Sequence, residues 1–139
     1  MKTQEIERKA SLIIVAEILF SIMPLLILMF ITILNNQPLL EIFKRSDISF
    51  ISVYFFGQTL VRFISGIAKS EKKKKWQVIS LFVSLLFIFG IIPSIILLIV
   101  IYTELYSTTL VYILQNIWLI ISILAYFIFG KIGQMYLDE

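Results

Sequence analysis

Four long apolar runs, residues 11–34, 48–68, 76–102 and 108–130, occupy nearly all of this 139-residue chain, with only short charged segments between them. As helices rising ~1.5 Å per residue, each run is roughly 30–40 Å long, enough to cross a hydrocarbon layer of ~30 Å. A soluble domain of this size has no interior large enough to hide so much apolar surface. The mean hydropathy of +0.99 agrees. Hydrocarbon offers no partners to backbone N–H and C=O groups, so each run is expected to be helical. The pattern predicts an all-α fold, a single integral membrane domain built as an antiparallel four-helix bundle, because short connections set consecutive spans beside each other. The first run is too long for a secretory leader and precedes no small-residue cleavage site, so it is expected to remain as a helix.

The chain contains no cysteine and no histidine. That removes thiol nucleophiles, disulfides, imidazole bases and the usual zinc ligands. The nine carboxylates lie mostly at segment ends, so a carboxylate metal site is not expected either. Neither a cofactor nor an enzymatic activity is anticipated, since membrane enzymes acting on lipids need nucleophiles or metal ligands.

Charge placement orients the spans. Lys2, Arg8 and Lys9 precede the first, Lys69, Lys72, Lys73, Lys74 and Lys75 separate the second from the third, and Lys131 follows the fourth. Four crossings put all of these on one side, against only Lys44 and Arg45 in the loops opposite. By the positive-inside rule, both termini and the lysine loop are expected to face the cytoplasm. The lysines act first as a topology signal, and their charge also suits anionic lipid or an acidic partner protein. A seven-residue loop has no fold with which to read nucleic acid. Trp76, Tyr102 and Tyr106 suit the interfacial belts. Asn35, Asn36, Gln37 and Pro38 break the first helix. The segment 39–45 suits a short amphipathic turn at the surface, and Ser46 with Asp47 suits an N-cap for the second helix.

The polar residues inside the spans are more specific. Glu17 lies eight residues beyond Lys9, roughly 12 Å into the membrane. Arg62 lies seven residues before Lys69, roughly 10 Å from the same side. Two opposite charges arriving at one depth are expected to form an ion pair inside the bundle, which offsets the insertion cost of each. Such a pair serves as a register device, as a proton- or ion-linked site, or as a contact with another subunit. The second span also carries Tyr54, Gln58, Ser65 and Lys69 on the face of Arg62, and the fourth carries Thr108, Gln115 and Ser122 at sevens, with Asn116, Tyr112 and Tyr126 nearby. In the third, Ser80 and Ser84 form a small-xxx-small pair, with Ser94 on the same side. Gln58, Ser80, Ser84, Gln115, Asn116 and Ser122 are accordingly expected in a polar bundle interior, as packing contacts or, alternatively, as the lining of a pore. Pro24 and Pro93 each free a carbonyl, and Gly90 makes the third helix the more prone to bend.

Two resemblances follow. Val15, Ala16, Glu17 and Ile18 in the first of four short spans resemble the first helix of small multidrug resistance transporters, which implies a proton-coupling role for Glu17. Those transporters are shorter and lack an arginine in the second span. In size, span number and cytoplasmic termini, the whole chain resembles the small four-span membrane subunit of Kiwa-type bacterial anti-phage defence systems. That resemblance implies sensing of membrane disturbance and recruitment of a soluble cytoplasmic partner. The expected function is therefore a non-enzymatic, homo-oligomeric subunit of the bacterial inner membrane. It would contact the lipid bilayer and, through Lys69, Lys72, Lys73, Lys74 and Lys75, a cytoplasmic protein, with no nucleic acid involved. The alternatives are a pore lined by Gln58, Gln115 and Asn116, or a proton-coupled exporter using Glu17.

Overall fold

The computed structural model describes residues 2–70, 76–105 and 108–138. Among them there is no strand, and four helices are long and apolar enough to cross a membrane. These are α1 (Lys2–Leu34), α2 (Asp47–Lys69), α3 (Trp76–Tyr102) and α4 (Thr109–Asp138). A short 3₁₀ helix, Leu39–Lys44, lies between α1 and α2. That makeup is the makeup of a multi-pass membrane protein. Two of the helices outrun their apolar stretches. Helix α1 reaches back to Lys2, and α4 continues past Gly130 to Asp138, because the flanking Glu, Arg, Lys, Gln and Leu residues are good helix formers.

The helix ends are made by backbone geometry more than by side-chain caps. Asn36 adopts φ 53°, and Gln37 N–H and Asn36 N–H donate to Thr32 and Ile33 carbonyls at 3.1 Å each. This left-handed cap closes α1. Glu104 repeats it at the end of α3, also at φ 53°, with Leu105 N–H donating to Val100 O at 3.2 Å. Ser46 does not cap α2 as expected. It is already helical (φ −62°) and its hydroxyl makes no cap bond. Instead Arg45 Nε donates to Asp47 Oδ2 at 2.9 Å, leaving Asp47 in the first turn, where a negative charge suits the helix dipole.

Helices α2 and α4 form the centre, α1 packing on α4 and α2, and α3 on α2 and α4. The central contact is so close because glycines meet. A Cβ added to Gly66 would lie 2.1 Å from the Gly133 carbonyl oxygen, and one on Gly133 would lie 2.5 Å from that of Arg62. The buried face of α2 is a heptad of small residues, Ser52, Thr59 and Gly66, flanked by Phe55 and Phe56. Without a hydrophobic drive between helices in lipid, such close backbone approach is what gives van der Waals contact. Ile14, Phe55 and Tyr126 make the fully buried core. On the other side Phe82 of α3 stacks between Phe63 and Phe129, with ring centroids 4.5 and 4.4 Å away.

Two π turns set the rotational phase of α3 and α4. One, Phe87–Ile91, ends two residues before Pro93, whose ring would clash with the carbonyl four residues back in a regular helix. The wider turn absorbs that clash, and Ser94 Oγ donates to Gly90 O at 2.7 Å. Gly90 itself lies against Phe56, where a Cβ would come within 2.7 Å of the ring. The second π turn, Tyr126–Gly130, contains no proline. Helix α1 runs unbroken through Pro24.

Candidate functional site

Near one end of the bundle, three helices supply a connected polar network. Arg62 of α2 donates from Nη2 to Glu17 Oε1 of α1 at 2.6 Å, and from Nη1 to Gln134 Oε1 of α4 at 2.8 Å. The other oxygen of Glu17 accepts the Tyr126 hydroxyl. Gln134 Nε2 in turn donates to Asp138 Oδ2 at 3.1 Å, and Asp138 lies 4.0 Å from Lys9 Nζ. The Arg62 guanidinium also sits 5.7 Å from the centre of the Tyr126 ring, within cation–π range. The Arg62 side chain is 15% exposed and that of Glu17 38%. Alone, such a charge costs roughly 2.5–3.5 kcal/mol on insertion scales for a helix centre. Here the guanidinium has two acceptors and a ring face, and both carboxylate oxygens are engaged.

Three further links tie the same end. Lys131 Nζ donates to Glu7 Oε1 at 2.9 Å, joining α4 to α1. Lys69 Nζ reaches the Leu137 carbonyl, joining the end of α2 to the end of α4. The third is the close backbone contact of Gly66 with Gly133, again between α2 and α4. The N-terminal turns of α1 and the C-terminal turns of α2 and α4 are thereby held as one unit.

The opposite end is fastened by Gln115. This fully buried side chain accepts from Ser49 Oγ at 2.8 Å and donates to the carbonyls of Phe43 at 2.7 Å and Arg45 at 3.1 Å. Asn116 Nδ2 adds a donor to Phe43 O at 3.0 Å. Together they pin the 3₁₀ segment and the start of α2 to α4. Between these two ends α1 separates from α2, leaving an apolar cleft of about 480 Å³ bordered by Phe20, Ser21, Leu25, Phe50, Ile51 and Tyr54.

The structure thus brings Glu17 and Arg62 together, and seats Gln115 and Ser122 in the interior. Ser122 Oγ satisfies itself on Leu119 O at 2.8 Å. Gln58 and Asn116 are half-buried. Ser80 and Ser84 correct the expectation: both are exposed, because Phe82, packed between Phe63 and Phe129, and buried Leu86 take the inward face of that stretch, and of the three serines Ser94 faces inward. Thr108 and Ser65 are exposed as well. Lys72, Lys73, Lys74, Lys75 and Tyr106 lie outside the described residues. Sequence reasoning missed Gln134 and Asp138. The signal for them was the five-donor guanidinium, which needs acceptors at its own depth, and two lie four residues apart if α4 continues beyond Gly130. Among the described residues no group of three or more Asp or Glu side chains is placed to hold a metal ion. Trp118 Nε1 is the buried side-chain polar atom left without a hydrogen-bond partner among them.

Comparison with protein-family models, with curated proteins and with solved structures finds no match to this chain.

Proposed function

We propose that this chain is a non-enzymatic subunit of the bacterial inner membrane. It crosses the bilayer four times as an antiparallel bundle, assembles with copies of itself, and recruits a soluble protein to its cytoplasmic end, in the manner of an anti-phage membrane sensor. One observation carries the reading: the intramembrane charges are spent on each other, at the same end where the N-terminal turns of α1 and the final turns of α2 and α4 are clamped together. That clamp makes a firm platform out of the end that holds Arg8, Lys9, Lys69 and Lys131. Its excess of positive charge supports a cytoplasmic orientation. It also supports docking of an acidic protein surface, with Lys72, Lys73, Lys74 and Lys75 nearby in sequence.

The same observation weighs against an exporter. A carboxylate that exchanges a proton for cargo must be free to meet both, whereas Glu17 is held by Arg62 and Tyr126. A pore lined by Gln115 is disfavoured likewise, since that side chain spends its hydrogen bonds on Ser49, Phe43 and Arg45.

Co-expression with the products of flanking genes, followed by affinity purification in detergent, tests the reading. The wild type retains a soluble protein. The combined Lys72→Glu and Lys74→Glu variant, still inserted in the membrane, releases it. A chain that purifies with no soluble companion in any such co-expression overturns the proposal.

A further inference from the structure

The apolar cleft between α1 and α2 opens at one end onto charge. Its border includes Asp47, and Asp47 also lines a second cavity of about 490 Å³ together with Lys44, Arg45, Glu104 and Tyr112. Arg45 and Asp47 pair with each other at 2.9 Å, whereas the side chains of Lys44 and Glu104 have no hydrogen-bond or ion-pair partner among the described residues. These side chains lie in the 3₁₀ segment, the first turn of α2 and the turn after α3, which the four-crossing arrangement proposed above, on which this inference rests, puts at the membrane interface. The cleft then runs along α2 from Asp47 to Tyr54, a helical length of roughly 10 Å, and along α1 from Leu28 back to Phe20, roughly 12 Å. That depth is most of one leaflet of a hydrocarbon layer ~30 Å thick.

We propose that this composite cavity binds one zwitterionic diacyl phospholipid bearing a primary ammonium headgroup. Its phosphate sits against Lys44 and Arg45, its ammonium against Glu104 and Asp47, and an acyl chain fills the cleft beside Leu25 and Ile51. The charges of both signs select this occupant. An anionic lipid would leave Glu104 facing an uncharged or negative headgroup, and an apolar helix from a second copy would leave Lys44 and Glu104 without counterparts at its end, since only Arg45 and Asp47 pair with each other. Ser21 and Pro24 on α1 widen the cleft, because neither carries a long side chain toward it, and the unbroken course of α1 through Pro24 keeps it open over its length. The lipid completes the packing of α1, of whose most apolar stretch only 6% is buried within the chain.

The test is native mass spectrometry of the delipidated protein titrated with dipalmitoyl phosphatidylethanolamine or dipalmitoyl phosphatidylglycerol. The wild type takes up one phosphatidylethanolamine per chain, about tenfold more tightly than phosphatidylglycerol, the size of effect expected for one charge-assisted contact. Glu104→Gln, at an exposed turn, removes that preference. Lys44→Gln with Arg45→Gln weakens both lipids. Leu25→Trp, which fills the cleft, abolishes the single tight adduct for either lipid while leaving the helix content by circular dichroism unchanged. Equal retention of the two lipids by the wild type overturns the proposal. So does a Leu25→Trp protein that binds lipid as the wild type does, or one that changes oligomeric mass with its lipid adduct intact, which would assign the cleft to a second copy.

Discussion

Gly66 and Gly133 face each other across α2 and α4 so closely that a methyl on Gly66 would meet the Gly133 carbonyl oxygen at 2.1 Å. This contact involves backbone on both sides, so no flexible side chain can move aside. It also sets the height at which Arg62, four residues before Gly66, meets Gln134, the residue after Gly133. The glycine crossing thus positions the polar network as well as the helices.

Gly66→Ala or Gly133→Ala should therefore push the two helices apart. A loss of about 1–3 kcal/mol is expected from overpacking alone, read by reversible unfolding in mixed micelles. Gly57→Ala is the internal control. Nothing lies within 4 Å of a Cβ there, so its stability should match or exceed the wild type. Equal effects at Gly57 and Gly66 would refute the close crossing.

Glu17→Gln and Arg62→Gln should each cost about 1.5–3 kcal/mol, the range for hydrogen bonds to charged groups. The double variant should cost less than the two losses added, since each single change strands the other charge. The same unfolding assay measures the coupling. Additive losses would mean that the pair does not act as a unit. Tyr126→Phe should cost only about 0.5–1.5 kcal/mol, because its ring keeps its place against Phe55 while one hydrogen bond goes.

Gln115→Leu should unfasten the other end. It leaves the Ser49 hydroxyl without its acceptor and takes one donor each from the Phe43 and Arg45 carbonyls, which keep Asn116 Nδ2 and Ile48 N–H, at about 1–3 kcal/mol if they stay dry. Hydrogen exchange should rise in residues 39–48 and stay unchanged in the last turns of α2 and α4. A uniform rise would show instead that Gln115 supports the whole bundle.

Glu104→Gly should stabilise the end of α3. The residue sits at φ 53°, where an L side chain is strained by about 1–2 kcal/mol and glycine is not. A drop in thermal stability of this variant would contradict the left-handed cap.

How much of this was legible in the sequence depended on what fixed each feature. Glu17 and Arg62 were legible because depth can be counted from the loop charges, and a charge in an apolar run must find its counterpart. The helices themselves followed from apolar length. Rotational phase was not legible. Phe82 and Leu86 take the inward face before the π turn at Phe87–Ile91, so Ser80 and Ser84 point outward although their spacing suits a contact, and only after that turn does a serine, Ser94, face inward. The working face of α2 was hidden for another reason. Ser52, Thr59 and Gly66 repeat at sevens, but the polar residues Tyr54, Gln58 and Ser65 draw the eye to a neighbouring stripe that is half-buried or exposed. Gln134 and Asp138 were missed because α4 was expected to end with its apolar run at Gly130.

We propose that the clamped, positively charged end is a docking platform of an assembled membrane subunit, with Glu17 a structural partner rather than a transport site. The most direct measurement is the mass, in detergent, of the wild type and of Glu17→Gln after co-expression with the flanking gene products. Both should run as the same discrete oligomer of the 16.2 kDa chain carrying a soluble protein. A lone 16.2 kDa chain for the wild type would contradict it.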